Sequence, residues 1–330
     1  MRPGNRPLQI CAALAMSMGA QCAWAQSAAD NYPTRPVIWI YPYTPGGVND
    51  IEGRIYLQRL SEAFGGRPFL ADYRPGAGGV LGTAAVAKAV PDGHTLLGVT
   101  PSFTINPAVY KDLPFDTSRD FVPISLMSRR ASMLVVHPSV PAKNFAEYVS
   151  YLKANPGKLN FGTSGAGATA HLSGAWLNDA TGTKLTFVHY KGSSQLLLDL
   201  LGGQIQVSTL SAGVVAPYIK AGKLRVLGMS DVERSPQFPG IPTVAEQGVP
   251  EFEYSSWLGF AAPRGTPPAV VNRLGSELGR IARMPDLVQK LAADGTVIVG
   301  NTPEQFQQYI TGLINRWQRL VKAADIRLEE

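Results

Sequence analysis

Val37-Ile38-Trp39-Ile40-Tyr41 is an unbroken apolar, β-branched run, the pattern of a strand buried on both faces. Beyond it Ile51, Ile55, Leu60 and Phe64 recur at near-helical spacing until Gly65-Gly66 stops them. Between strand and helix lies Pro42-Tyr43-Thr44-Pro45-Gly46-Gly47-Val48-Asn49-Asp50. A buried strand, a glycine turn and a helix start gather backbone N–H donors at the positive end of a helix dipole, a geometry that favours a small anion without an arginine. The same turn also fits a plain connection whose glycines only permit positive φ.

Strands and helices then alternate. Arg74-Pro75-Gly76-Ala77-Gly78-Gly79 leads into a small-residue helix through about Ala89, and Pro91-Asp92-Gly93 turns into a strand over 94–100. The polar segment 101–107 follows at that strand's carboxyl end, where open α/β sheets bind ligands. This makes Ser102 and Thr104 candidates for ligand contact or for turn caps. Apolar runs at 122–127 and 132–136 come next, the second leaving the first domain. Asn144 with Glu147 has the form of a helix N-cap. A second α/β series opens at Leu159, with a glycine-rich loop from Gly162 to His171. It continues with strands over 185–189, 204–209 and 224–230, and loops at 190–194 and 210–213. A proline-rich connection over 235–250 holds a short helix near 243–247. The apolar stretch 254–263 reads as the return crossing, and Thr302-Pro303-Glu304-Gln305 as a capping box with proline at the first helical position.

Two enzyme readings of the second loop each lack part of the chemistry they need. Gly165-x-Gly167-x-x-Ala170 has the form of a dinucleotide fingerprint, but no carboxylate stands about twenty positions on, at Phe187-Val188-His189-Tyr190. Gly162-x-Ser164-x-Ala166 approaches a nucleophile elbow, but His171 sits on the following helix, poorly placed as its base. No histidine pair has metal-ligand spacing, so neither a metal nor a cofactor is expected.

The start reads as a cleaved export signal over 1–25. Arg2 and Arg6 precede an apolar run, and Ala23-Trp24-Ala25 fits the cleavage rule before Gln26. Gln21 before Cys22 fits a lipid anchor poorly. Cleavage removes both cysteines, Cys11 and Cys22, so the mature chain carries no disulfide or thiol. It also takes Lys and Arg from 30 to 28 against 24 acidic residues, lowering the net charge from +6 to about +4. The basic residues are scattered, which gives no nucleic-acid footprint.

The chain resembles the solute receptors of tripartite tricarboxylate transporters, the Bug proteins. The resemblance is carried in order by Tyr32-Pro33-x-Arg35-Pro36, Pro42-Tyr43-x-Pro45-Gly46-Gly47-x-x-Asp50, Arg74-Pro75-Gly76-Ala77-Gly78-Gly79 and Pro91-Asp92-Gly93. Ser164-Gly165-x-Gly167 with His171-Leu172, Tyr190-Lys191-Gly192, Asp199-Leu200-Leu201-Gly202-Gly203, Pro242-Thr243-x-x-Glu246 and Ala262-Pro263-x-Gly265-Thr266-Pro267 continue it. It implies an α/β fold: a two-domain periplasmic binding protein of the flytrap, type II-like class with a double-strand hinge. Domain 1 would comprise residues 30–130 plus 254–330, and domain 2 residues 131–253.

The function implied is that of a monomeric periplasmic receptor, not an enzyme. It would deliver a small carboxylic acid to the membrane permease of a tripartite tricarboxylate transporter. The alternative is a ligand sensor or hydrolase-like enzyme on the same fold. The resemblance also places a carboxylate cradle at Thr44, Pro45, Gly46, Gly47 and Val48; Tyr43, Asp50 and Ser102 are further candidates beside it. The opposing jaw would be Ser164, Gly167, Ala168 and Thr169, and His171, Tyr190 and Ser211 are further candidates on that side. Ala168 stands where the family often has a hydroxyl, which removes one ligand donor.

Overall fold

The computed structural model describes residues 31–323 apart from 166–167, 191, 232, 251 and 293–294. The expected export signal, both cysteines, Gly167 and Lys191 lie outside the described residues. The apolar run forms strand β1 (Val37–Tyr41), and the periodic segment forms helix α1 (Val48–Ala63), capped at Phe64 before the two glycines. On one side β1 pairs in parallel with β2 (Phe69–Tyr73), and on the other with β3 (Thr95–Val99). Next to β3 runs β9 (Ser255–Pro263), antiparallel, and then β4 (Phe121–Val136), also antiparallel.

Alternate side chains cover both faces of this sheet. Trp39 and Tyr41 pack against α1 and α8 (Pro268–Ala282). Ile40, Leu97 and Val99 pack against α3 (Ser102–Val109) and α10 (Pro303–Ala323).

The two apolar runs expected at 122–127 and 132–136 are one strand of 16 residues. Arg129 and Arg130 interrupt the apolar pattern but not the ladder, because both are neutralised from other elements: Arg130 by Glu52, and Arg129 by Asp231 and Glu253. At Ala131 the strand still pairs with Ser255 of β9, whereas at Ser132 it pairs with Ser211 of β7 (Val207–Ser211). The rest of β4 also pairs with β8 (Arg225–Met229). Beyond β7 the second sheet continues in parallel through β5 (Asn160–Thr163) to β6 (Thr186–His189). The interior of this half alternates too, with Leu134 and Val136 on one face and Met133 and Val135 on the other. Ser230, fully buried, ties the two crossing segments together. Its Oγ accepts from Ser132 N at 3.0 Å and lies within bonding range of the Tyr254 carbonyl.

The remaining helices are α2 (Val80–Ala87), α4 (Phe145–Ala154), α5 (Thr169–Thr181), α6 (Ser193–Leu201), α7 (Ala212–Lys220) and α9 (Pro285–Ala292); β10 (Thr296–Ile298) pairs with β4. The caps expected from sequence form: Asn144 Oδ1 accepts from Glu147 N at 2.9 Å, and Thr302 Oγ1 from Gln305 N at 3.3 Å. Three local expectations differ. Residues 101–107 are not a loop, because Ser102 opens α3. Ser211 ends a strand rather than standing in a loop. Residues 243–247 form a turn held by Thr243 and Glu246 instead of a helix.

Candidate ligand-binding site

Tyr41 and Tyr43 leave the carboxyl edge of β1 with their rings 5.3 Å apart. The Tyr43 hydroxyl meets Ser102 Oγ at the first residue of α3 and accepts from Thr100 Oγ1 at 3.0 Å. Burial pushes the Tyr43 phenol above its ordinary range, against the pull of those two bonds, so it stays a protonated donor. Ser102, Ile105, Asn106 and Val109 recur at helical spacing and present one face of α3 to a cavity of about 480 Å³. Its opposite wall comes from the second half, where Ser164, Gly165, Ala168 and Thr169 form the loop after β5 and the start of α5. Tyr254, Ser255 and Ser256 enter from the return crossing. The side chain of Thr169 bonds the Tyr254 phenol, which burial pushes up to about 12. Hydroxyl or phenol groups belong to ten of the eighteen described lining residues, and none of the eighteen is Asp, Glu, Lys, Arg or His.

A buried ion pair stands behind this wall. Asn49 Nδ2 donates to Trp257 O at 3.2 Å, while its Oδ1 accepts from Arg130 Nη1 at 2.8 Å. Arg130 also pairs with Glu52, and both are buried. A polar wall of neutral donors can hold an anion through hydrogen bonds while leaving the binding groups uncharged.

The structure brings together Tyr43, Ser102, Ser164, Ala168 and Thr169 of the residues expected from sequence. Thr44, Pro45, Gly46, Gly47 and Val48 are exposed beside the cavity without lining it. Only Gly46 of the pair needs glycine's freedom, at φ +96°; Gly47 is extended at φ −72°. Asp50 is fully buried and faces inward. It accepts from Gly46 N at 2.8 Å and Tyr73 Oη at 2.8 Å, with Arg54 Nη2 at 3.4 Å. Its carboxylate therefore holds the turn, and it occupies one of the N–H groups expected to be open to a ligand.

Tyr190 donates to Asp199 Oδ2 at 2.8 Å, and Ser211 pairs within the sheet; neither lines the cavity. Thr104 Oγ1 donates to Pro101 O at 2.9 Å at the start of α3 and is turned away from the lining. Sequence reasoning passed over Tyr41, Asn49, Ile105, Asn106, Val109 and the crossing residues Tyr254, Ser255 and Ser256.

His171 also stands away from the lining. Its ring meets Phe187 and His189 edge-on, with centroids 4.6 and 4.8 Å away. Burial, and then the facing His189, push its pKa down from 6.5 to about 4. The folded protein therefore keeps His171 neutral where the unfolded chain protonates it, so stability should fall as pH drops from about 6.5 toward about 4. Urea unfolding across that window should show the loss, and His171→Gln should flatten it; an unchanged slope in the variant would assign the loss elsewhere.

No helix among the described residues is long and apolar enough to cross a membrane, and no group of three or more His, Cys, Asp or Glu among them could hold a metal. The model of the tripartite tricarboxylate transporter family receptor matches residues 54–326. A UPF0065 protein encoded in the tcbD-tcbE intergenic region of Pseudomonas sp. (strain P51) is 35% identical over 314 residues, covering 95% of this chain and 93% of that one. Protein BugT of Bordetella pertussis is 33% identical over 307 residues, covering 92% and 94%. Among solved structures, R. palustris Rpa4515 with adipate superposes with a TM-score of 0.77 at 34% identity over 90% of this chain and all of that one. MatC from Rhodopseudomonas palustris with bound malate gives 0.73 at 28% identity, covering 88% and 100%. Family model, curated relatives and solved folds agree over nearly the whole chain, which belongs to the tripartite tricarboxylate transporter receptors, the Bug proteins.

Proposed function

We propose that the protein is a periplasmic receptor that closes its two halves over a small carboxylic acid and presents it to the membrane permease of its transporter. The observation that carries this reading is the cavity between the halves, lined by hydroxyls and carrying no charged side chain among its described residues. Its volume of about 480 Å³ lies in the range of small-molecule sites. The relatives with adipate and with malate have the same fold, and both of those ligands are carboxylates.

Residues 30–130 with 254–330 would make one domain and 131–253 the other, a division supported by the change of strand partners at Ala131 and Ser132. The carboxylate would take its donors from Tyr43, Thr100 and Ser102. The turn at 44–48 would close as a rim and Ser164 and Thr169 would meet the ligand from the opposite jaw. Nothing among the described lining residues serves Ser102 or Ser164 as a base, which favours binding over turnover.

The test is a thermal-shift screen of residues 26–330 against organic acids, followed by calorimetry on Ser102→Ala. A bound acid stabilises by RT ln(1 + [L]/Kd). Losing one hydrogen bond to a charged group should weaken binding by about 1.5–3 kcal/mol, roughly ten- to a hundredfold. Failure of every acid to stabilise the parent would overturn the receptor reading, and consumption of the acid would replace it with an enzyme.

A further inference from the structure

Tyr110 follows the last residue of α3, where the backbone turns extended at φ −97° and ψ 132°. Its hydroxyl lies against the Gly76–Gly79 turn: a Cβ placed on Gly78 would stand 3.3 Å from Tyr110 Oη. On one side Tyr110 borders the cleft cavity, together with Ile105, Asn106, Val109 and Gly78. On the other it borders a second hollow of about 610 Å³, walled by Pro107, Leu113, Phe115 and Ile314. Tyr110 is the one described residue that lines both. The two hollows also differ in charge, since the second carries Lys111 and an Arg119 paired to Asp116 at 2.6 Å.

An acid whose carboxylate sits at Tyr43, Thr100 and Ser102 and whose body lies along the Ile105 and Val109 face comes up against Tyr110, whose hydroxyl stands at Gly78, next in sequence to the Gly79 where a Cβ would lie 3.0 Å from Tyr43 Oη. The body passes over apolar side chains and then stops against an aromatic ring, with a further hollow bearing cations behind it.

We propose that Tyr110 is the residue that sets the maximum length of the acid this receptor accepts, by standing as a partition between the cleft and the second hollow. This rests on the carboxylate reading of the cleft. Truncating the ring joins the two spaces, and the gain goes to acids long enough to cross, above all those whose second carboxylate reaches Lys111.

Calorimetry with straight-chain dicarboxylates from succinate to sebacate, on the parent and on Tyr110→Ala, Tyr110→Leu and Tyr110→Phe, tests the partition. The parent should show a length cut-off. Tyr110→Ala and Tyr110→Leu should bind the acids beyond it about tenfold or more tighter than the parent does. Tyr110→Phe, which keeps the ring, should keep the cut-off. Folded variants that bind diacids with the parent's length profile, or that weaken all lengths by one common factor, overturn the partition and leave the carboxylate site standing. Absence of binding by any diacid in the parent and the variants overturns the partition, while the carboxylate reading stands or falls on the organic-acid screen.

Discussion

Glu52→Ala is expected to destabilise the protein by about 3–5 kcal/mol, because it leaves the guanidinium of Arg130 buried without its carboxylate. Arg130 is 3% exposed and Glu52 1%, so water cannot replace the lost partner. The two residues come from different elements, α1 and the hinge strand β4, and the pair fixes the start of the helix to the strand. Replacing both with apolar residues, Glu52→Leu with Arg130→Met, should recover most of the loss, since no charge is then stranded. Urea denaturation of the parent, the single variant and the double variant decides the matter. A single-variant loss below about 1 kcal/mol would mean that Arg130 finds other compensation. Binding should suffer even in the stable double variant, because Asn49 loses the Arg130 donor that orients it at the cavity wall.

The second large effect is expected at Trp39. Its indole lies in a slot between Gly53 of α1 and Gly98 of β3, where a Cβ on either glycine would overlap the ring. It stacks on Tyr41 at 4.9 Å and packs against Phe260 at 5.6 Å. Trp39→Ala should cost about 3–5 kcal/mol through the cavity it leaves. Trp39→Phe should cost less, partly because the indole N–H it removes is buried with no hydrogen-bond partner among the described residues. The effect should reach the site, since Trp39 supports Tyr41, Tyr41 borders the cavity, and α1 presents Asn49. Urea unfolding gives the stability, and calorimetry with the acid identified by the screen gives the affinity. Equal losses for Trp39→Ala and Trp39→Phe would refute the cavity argument.

What could be read from the chain follows from the range of the forces involved. The strand, glycine turn and helix over 37–64 were legible because burial, turn and stop signals all lie within thirty residues. The caps at Asn144 and Thr302 were legible because a capping box is a three-residue pattern. Helix α3 was not, because Ser-Phe-Thr-Ile-Asn-Pro with a proline before it presents turn formers, and the packing of Phe103 and Ile105 against α10 overrides them. Missing that helix also hid the site, since Ser102, Ile105, Asn106 and Val109 only share a face once the segment is helical. The unity of β4 was hidden for a different reason. Arg129 and Arg130 look like a surface break, and their acidic partners stand at positions 52, 231 and 253. No local pattern reports a partner that far away.

The length of β4 also has a consequence for how the molecule comes into being. The strand is made early, yet its neighbour β9 emerges only after residues 137–254 have been added. Until then the first sheet has β3 and the leading part of β4 with no β9 between them, two open edges offering unpaired N–H and C=O groups. The inserted segment contains its own strands β5 to β8 and its own packed interior, so most of its contacts can form while synthesis continues. Completion of the first half instead waits for a non-local pairing, the kind that slows folding most. The interval between β4 and β9 is therefore when a nascent chain is most open to pairing with a second copy of itself, and when a chaperone covering β3 and β4 would protect it.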